Sequence, residues 1–487
     1  MAAGDSSGLL DLFPVSILLS GLFVMGFLSW MRPTGRVSFY NAKDNSLRLT
    51  KKIGKSGSKE QTTLADLCRT ATPTKCQLNP FLFNGHLQTA WTTVKFDNVP
   101  VYYKRRVLQA NTPMLTGHFA VDFVTEPYEV PQDGPRTDPE RKYTQPSGLP
   151  ERTAFFTEEE FAALPSDDTK PMLVVLHGLS GGSHELYLRH VLHPLIADGT
   201  WEACVVNSRG CAQTNISSGV LYNARATWDV RQAVQWLRQM FPNRPLFGIG
   251  FSLGANILAN YLAEEGDKCL LKSAVLVASP WNLEVSSANL QSTSIGLAYS
   301  RVMGSSMKRL FEAHVDAVSK NPRINVEEVR SITYLHEFDR AVQCASWGYP
   351  TEGAYYRDSA SIDTMLNIRI PFFVVQAEDD PIASASALPW QEIKQNPYGV
   401  MMTTSWGGHL GWFELGGDRW FVKPVNNFLN LMAKDIDLDT PFVVENPERL
   451  PGHIPNHADP SKEPDTAPKP DFNPIRRKLD MKLAVPK

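Results

Sequence analysis

The residue in this chain that is best placed to do chemistry is a serine at a glycine-rich turn. Ser252 lies at the centre of Gly250-Phe-Ser-Leu-Gly254, between an apolar run that ends at Phe251 and a helical pattern that begins at Ala255. A serine held between glycines at a strand-to-helix turn presents its hydroxyl at a helix N-terminus, where negative charge is favoured. The pentapeptide also occurs in ordinary glycine-serine turns, so its interpretation depends on partners elsewhere in the chain.

Two later segments supply the partners that such a hydroxyl needs, a base and an acid that orients the base. Asp379 and Asp380 directly follow one apolar run, and His409 follows the next one, in Gly407-Gly-His-Leu-Gly411. The carboxyl ends of parallel strands meet at one edge of a sheet, so these side chains are expected to lie close together. The sequence predicts a triad of Ser252 as nucleophile, His409 as base and Asp380 as acid, with Asp379 as the alternative acid.

An ester or amide attacked by a serine develops an oxyanion, which needs hydrogen-bond donors. The segment His177-Gly-Leu-Ser-Gly-Gly182 follows another apolar run and precedes a helical pattern. We therefore expect an oxyanion hole made by the backbone N–H groups of Leu179 and Leu253, the latter next to the nucleophile. No Gly-Lys-Ser/Thr follows these glycines, which argues against a phosphate-binding loop, and His177 is interpreted as structural.

The surrounding pattern predicts an α/β fold with a mostly parallel sheet. Short, continuous apolar runs alternate with helical patterns from residue 171 onward, as expected for buried strands covered by helices on both faces. The predicted strands are Pro171–His177, Trp201–Asn207, Pro245–Phe251, Ser273–Ser279, Pro371–Ala377 and Gly399–Trp406, with antiparallel edge strands at Val101–Val107 and Phe119–Val124. The predicted helices are Ser183–Ala197, Tyr222–Met240, Ser252–Glu264 and Phe421–Ala433.

Composition shifts divide the chain further. The catalytic domain is predicted over residues 75–435, preceded by a linker at 33–74. Residues 126–170 are rich in Pro, Asp, Glu and Thr and are interpreted as a surface insertion. The region 281–366 is too long for one crossover and carries an apolar stripe at helical spacing, which indicates either ordinary core or a helical cap over an acyl-binding pocket. Residues 445–487 have the composition of a disordered tail.

A long apolar run lies near the start of the sequence. Residues 12–31 carry no charge, and twenty helical residues span about 30 Å, the hydrocarbon thickness of a bilayer. The run predicts a single-pass anchor over residues 1–32. Basic residues follow it, so the positive-inside rule predicts that the catalytic domain lies in the cytosol. The expected membrane is that of the endoplasmic reticulum or of lipid droplets. A hairpin anchor and a buried helix are the alternatives.

Overall composition excludes several other classes of protein. The formal net charge of the 487 residues is −3 and the pI is about 6.4, so no basic excess indicates a nucleic-acid partner. The six cysteines show no C-x-x-C spacing and are interpreted as buried thiols. Neighbouring histidines such as His190 and His193 lack an H-E-x-x-H arrangement. We predict no metal and no cofactor.

Taken together, the motifs resemble one known family. The chain is similar to the membrane-anchored α/β-hydrolase-domain proteins, a family that includes yeast fatty acid ethyl ester synthase/esterases, a related monoacylglycerol lipase and animal enzymes that cleave phospholipids and acylglycerols. The resemblance covers about residues 75–435. The matching segments are Asn84–Thr89, His177–Gly182, Asn207–Cys211, Gly250–Asn256, Asn260–Gly266, Asp379–Pro381 and Gly407–Gly411.

This resemblance implies an α/β-hydrolase fold and a serine ester hydrolase that acts on medium-chain acyl esters or acylglycerols. It carries over Ser252, Asp380 and His409 as the triad. Because some members of the family transfer the acyl group from acyl-CoA to an alcohol such as ethanol, it also implies this second activity. The expected partners are a small acyl ester, acylglycerol or acyl-CoA and a membrane. A monoacylglycerol lipase or phospholipase is the alternative within the same chemistry, and a silent hydrolase-fold binding protein is the alternative outside it.

Overall fold

The structure is built around one ten-stranded sheet. The computed structural model describes residues 34–52, 60–94, 99–111, 116–128, 148–447, 450 and 473–475. The predicted mostly parallel sheet is confirmed, because six central strands run parallel and overlap the predicted runs. In spatial order they are Gly399–Thr404, Phe372–Ala377, Leu271–Val277, Leu246–Phe251, Met172–Leu176 and Glu202–Asn207.

Both faces of these central strands are apolar, which is why the sheet is covered on both sides. Neighbouring side chains of a strand point to opposite faces, so Val174 packs in one hydrophobic core and Val175 in the other. On the Val175 side lie the helices Leu64–Ala71, Leu186–Ile196 and Val422–Asp435. On the Val174 side lie the helices Thr227–Met240 and Leu253–Glu265.

The sheet extends beyond the two antiparallel edge strands that were predicted. His118–Thr125 pairs with Glu202–Asn207, and Tyr102–Gln109 pairs with His118–Thr125, as expected. Thr153–Phe155 then adds a parallel edge strand, followed by the short helix Glu158–Ala162. The C-terminal part of the predicted surface insertion at 126–170 therefore contributes a strand to the sheet.

Of residues 33–74, predicted as a linker, the described ranges 34–52 and 60–74 are part of the packed fold. Val37–Asn41 pairs antiparallel with Gly399–Thr404 at the other edge of the main sheet. Leu47–Thr50 and Gln61–Thr63 form a small sheet with Val443–Val444, and a two-stranded bridge joins Thr34–Gly35 to Cys76–Gln77. The physical reason is burial, since Leu47, Leu49, Leu64, Leu67 and Cys68 join the core beside the helix Val422–Asp435.

A helical cap covers the carboxyl edge of the sheet. It occupies most of 281–366 and has a core of its own, in which Met307, Phe311 and Val318 pack against Val329 and Phe338. The predicted apolar stripe is thus largely cap core. The cap helices are Leu283–Ser292, Ser294–Ala313, Val315–Val318, Val326–Ser331, Leu335–Phe338, Ala345–Trp347 and Glu352–Ser359, with a π-helical segment at Asp339–Cys344.

The prediction of a single-pass membrane protein is corrected. In the ranges that the structure describes, no helix is both long enough and apolar enough to cross a bilayer. Even the cap helix Ser294–Ala313, at 20 residues, carries Arg301, Lys308, Arg309 and Glu312. The residues 12–31 on which the prediction rested lie outside the described residues, as does most of the predicted tail at 445–487.

Candidate active site

Ser252 occupies a strained turn between a strand and a helix. Its backbone has φ 51° and ψ −121°, which is unfavourable for a residue with a side chain, and strain of this kind concentrates at functional sites. The turn is possible because its neighbours have no side chains. A Cβ on Gly250 would lie 2.6 Å from the carbonyl oxygen of Gly254, and one on Gly254 would lie 2.3 Å from the carbonyl oxygen of His177.

The structure brings Ser252, His409 and Asp380 together. The hydroxyl oxygen of Ser252 lies 2.8 Å from Nε2 of His409, and Nδ1 of His409 lies 2.8 Å from Oδ2 of Asp380. The three side chains come from the ends of three strands of the parallel sheet, as the sequence predicted. All are buried, with exposed fractions of 8% for Ser252, 9% for His409 and 3% for Asp380. This geometry allows the imidazole to accept the serine proton and the carboxylate to stabilise the resulting imidazolium.

The two neighbouring aspartates have separate partners. Oδ1 of Asp380 accepts hydrogen bonds from the N–H groups of Ile382 and Ala383, both at 2.8 Å, which leaves Oδ2 to His409. Oδ1 of Asp379 accepts from the N–H groups of Gly407 at 2.9 Å and Gly408 at 3.0 Å. Burial raises the pKa of Asp379 in spite of these amide donors. Asp379 therefore holds the loop Gly407–Gly411 that carries His409, which we call the histidine loop, while Asp380 faces the imidazole.

The predicted oxyanion donors lie beside the serine. Leu179 and Leu253 line the same cavity as Ser252, and Leu253 begins the helix, so its N–H has no partner within that helix. Two tyrosine hydroxyls hold the backbone on either side of Leu179. Tyr187 accepts from the N–H of Gly178, and Tyr222 accepts from the N–H of Ser180, each at 2.8 Å. Sequence reasoning did not identify either tyrosine.

His177 is held as a neutral, structural side chain. The N–H of Ser208 donates to its Nε2 at 3.0 Å, so its proton resides on Nδ1, which donates to the carbonyl oxygen of Gly178 at 2.7 Å. Burial lowers the pKa of His177 to about 4. It therefore supports the loop that carries Leu179 and does not compete with His409 as a base.

The segment Asn84–Thr89, whose role the sequence did not reveal, positions the histidine loop. Oγ1 of Thr89 accepts a hydrogen bond from the N–H of His409 at 2.8 Å and donates to the carbonyl oxygen of Gly85 at 2.6 Å. Asn84 caps the short helix Gly85–Trp91. His86 contacts the cap instead, with its Nδ1 3.2 Å from the hydroxyl of Tyr299. In the sequence, the signal for this role was that Asn84–Thr89 is one of the segments that match the family.

A cleft under the cap contains Ser252. It encloses about 790 Å³ of space, part of it open to solvent, and the cap contributes apolar side chains such as Leu283, Leu290 and Met307 to its lining together with polar ones such as Ser286 and Gln343. Such a cleft fits an acyl chain. Among the residues that the structure describes, no group of three or more His, Cys, Asp or Glu side chains is arranged to hold a metal ion.

Comparisons with known proteins give a consistent result. Residues 171–293 match the family described as alpha/beta hydrolase fold. The chain is 36% identical over 388 residues to monoacylglycerol lipase of Saccharomyces cerevisiae, across 77% of this chain and 84% of that protein. It is 31% identical over 434 residues to medium-chain fatty acid ethyl ester synthase/esterase 2 of the same yeast, across 81% of this chain and 94% of that protein. It is 27% identical over 261 residues to human phospholipase ABHD3, across 53% of this chain and 63% of that protein.

Proposed function

The chain belongs to the α/β-hydrolase family, and from that premise we propose that it is a serine carboxylic-ester hydrolase with Ser252 as its nucleophile. The observation that carries the proposal is the pair of 2.8 Å contacts that join Ser252 to His409 and His409 to Asp380 in a cleft under the cap. The names of the two yeast relatives support acyl esters or acylglycerols as the substrate class.

In the proposed reaction, the hydroxyl oxygen of Ser252 forms a bond to the ester carbonyl carbon while its proton passes to Nε2 of His409. The carbonyl oxygen becomes an oxyanion that accepts hydrogen bonds from the N–H groups of Leu179 and Leu253. When the intermediate collapses, the bond to the alcohol oxygen breaks and the alcohol takes the proton from His409. An acyl group then remains on Ser252.

Water completes the hydrolysis by the same steps in reverse order, with His409 as its base. An alcohol in place of water would give a new ester, and this is the O-acyltransferase activity implied by the resemblance. The relative named as a synthase/esterase is the observation in favour of it. Incubation with a medium-chain acyl-CoA, with and without ethanol, separates the two activities, since free acid is the product of hydrolysis and ethyl ester the product of transfer.

Covalent labelling tests the nucleophile. A fluorophosphonate probe is expected to label the folded protein, and Ser252→Ala is expected to abolish labelling. Ser287→Ala is the matched control, because Ser287 lines the same cleft and should leave labelling intact. A folded protein that stays unlabelled would identify it as a silent hydrolase-fold protein.

A further inference from the structure

A second cavity lies beside His409, and we call it the histidine cavity. It encloses about 1290 Å³ of space, part of it open to solvent. Its lining includes His409 and Leu410 of the histidine loop and Arg419, which follows that loop closely in the chain. Among the described residues, none lines both this cavity and the cleft that contains Ser252. The proposed reaction takes place in the cleft, so the histidine cavity requires an explanation of its own.

Arg419 brings a buried positive charge to the wall of this cavity. Its exposed fraction is 3%, and its Nε and Nη1 have no hydrogen-bond partner in the described part of the chain. The guanidinium lies over the ring of Phe413, with 4.6 Å between its Cζ and the ring centroid. Burial lowers the pKa of Arg419 to about 10, so the side chain is still protonated near neutral pH. A buried charge normally has a counter-ion, so a cation without one on a cavity wall indicates an anionic ligand.

The carboxylates on the same wall do not supply this counter-ion. Oε1 of Glu185 lies 3.6 Å from Nε2 of His184, and Oε1 of Glu151 lies 3.6 Å from Nη2 of Arg152. Glu185 is close enough to favour the charged form of Arg419, but it forms no ion pair with it. The guanidinium of Arg419 therefore keeps donors for a ligand.

Two further side chains give the histidine cavity the character of an anion site. Tyr103 is 1% exposed, and its hydroxyl has no hydrogen-bond partner among the described residues. Arg189 adds a second buried guanidinium, which is held in place because its Nη1 donates to the carbonyl oxygen of Val99 at 3.0 Å. Guanidinium N–H and phenol O–H groups are donors that carboxylate and phosphate oxygens accept, and the bonds from guanidinium to such anions are strong.

The histidine cavity also contacts both loops of the candidate active site. His409 comes from one loop. Tyr187, which lines the cavity too, accepts the N–H of Gly178 at 2.8 Å and so holds the loop that carries Leu179. An occupant of this cavity therefore lies against the elements that position the base and the proposed oxyanion donors.

We propose that the histidine cavity binds an anion through its carboxylate or phosphate oxygens, which pair with Arg419 and accept a hydrogen bond from Tyr103. This anion is a ligand at a site separate from the cleft in which the ester reacts. Its binding does not depend on the reactivity of Ser252, so this inference and the proposed function can fail independently.

Isothermal titration calorimetry of the full chain tests the site with two probes, inorganic phosphate and acetate, at an ionic strength held constant with sodium chloride. Binding of either probe is the expected result, and the tighter one shows whether phosphate or carboxylate is the preferred group. Arg419→Met should weaken this binding by about tenfold or more, and Tyr103→Phe by about three- to tenfold, because hydrogen bonds from a charged donor contribute more than neutral ones.

Arg309→Met is the matched control, because it removes an exposed guanidinium of the cap and should leave anion binding unchanged. Thermal unfolding gives a second measurement. Without added phosphate or acetate, Arg419→Met should unfold at the same temperature as the unmodified protein or a higher one, because it removes a buried charge that has no partner. A lower unfolding temperature would show that Arg419 is already paired in the folded protein, and would contradict the inference.

Fluorophosphonate labelling of Ser252 shows where the anion binds. Labelling should proceed at the same rate with and without saturating phosphate or acetate. Slower labelling would place the anion in the oxyanion hole and overturn the inference, as would the absence of binding or equal binding by Arg419→Met. A protein that binds the anion but is never labelled would contradict the proposed function and leave the anion site in place.

Discussion

Asp379 and Asp380 are adjacent in the chain, yet their carboxylates support His409 in different ways. Asp380 lies 2.8 Å from the imidazole, while Asp379 accepts the N–H groups of Gly407 and Gly408, which begin the loop that holds His409. Successive side chains after a strand point in different directions, so one pair of residues can fix both the ring and its backbone. Replacing each carboxylate separately therefore distinguishes the two effects.

Asp380→Asn is expected to lower kcat by about 10³-fold or more, because an amide cannot stabilise the imidazolium as a carboxylate does. Asp379→Asn should lower kcat by less than about tenfold, because an amide oxygen still accepts from Gly407 and Gly408. Steady-state hydrolysis of p-nitrophenyl octanoate by the two variants provides the measurement. Equal losses would show that the roles of the two residues have been assigned wrongly.

Thr89 is expected to be a positioning residue for His409. Thr89→Val keeps the shape of the side chain but removes the acceptor of the His409 N–H, so kcat should fall by about tenfold while KM changes little. Thr89→Ser restores the hydroxyl and should recover most of the rate, which a loss caused by altered packing would not allow. An unchanged kcat in Thr89→Val would show that Thr89 does not position His409.

The raised pKa of Asp339 should make the unfolding free energy depend on pH. Its pKa is raised by burial from 3.8 to about 7, so the folded protein keeps this proton at pH values where the unfolded chain releases it. The stability from the protonated carboxyl is therefore fully present below about pH 4 and is lost as the pH rises to about 7. Asp339→Asn carries no such proton. Relative to the unmodified protein, the variant should gain on the order of 3 kcal/mol between pH 4 and 7 and then stay level.

Urea unfolding of both proteins at several pH values between 4.5 and 8 measures this difference. The amide oxygen of the asparagine can still accept from Tyr356, so the comparison isolates the charge. A difference in unfolding free energy that does not change with pH would contradict the assignment.

A buried ion pair is expected to contribute strongly to the free energy of unfolding. Arg105 and Asp122 are almost fully buried and form two contacts, of 2.6 and 2.8 Å, and Asp122 also accepts from Ser183 and Asn207. Asp122→Ala leaves the guanidinium uncompensated and is expected to cost about 3–5 kcal/mol of unfolding free energy. Thermal or urea unfolding measures the loss.

Glu312→Ala is the control for this pair, because it removes the solvent-exposed contact between Glu312 and Arg330 and should lower the unfolding free energy far less than Asp122→Ala does. Similar losses in the two variants would mean that burial does not set the strength of the Arg105–Asp122 pair.

The sequence predicts the residues of the site whose place in the fold follows from the apolar strand that precedes them. Ser252, Asp380 and His409 each follow a continuous apolar strand, so the rule that sites form at the carboxyl edge of a parallel sheet was enough to bring them together. Thr89 could not be found in this way, because its contact with His409 joins residues 320 apart and involves a backbone N–H.

Two other differences have physical causes of the same kind. A helix was predicted from Tyr222, but it begins at Thr227, which leaves the Tyr222 hydroxyl free to hold Ser180. The strand Val37–Asn41 is half-buried along its whole length and shows no clean alternation. Only its pairing with Gly399–Thr404 identifies it as a strand.

That pairing has a consequence for biosynthesis. The segment that becomes the edge strand at Val37–Asn41 leaves the ribosome about 360 residues before its partner at Gly399–Thr404. At translation rates of about 5–20 residues per second, it waits roughly 20–70 s. During that interval its unpaired amides are open to other nascent chains, so we expect the early product to need protection by a chaperone until synthesis is nearly complete.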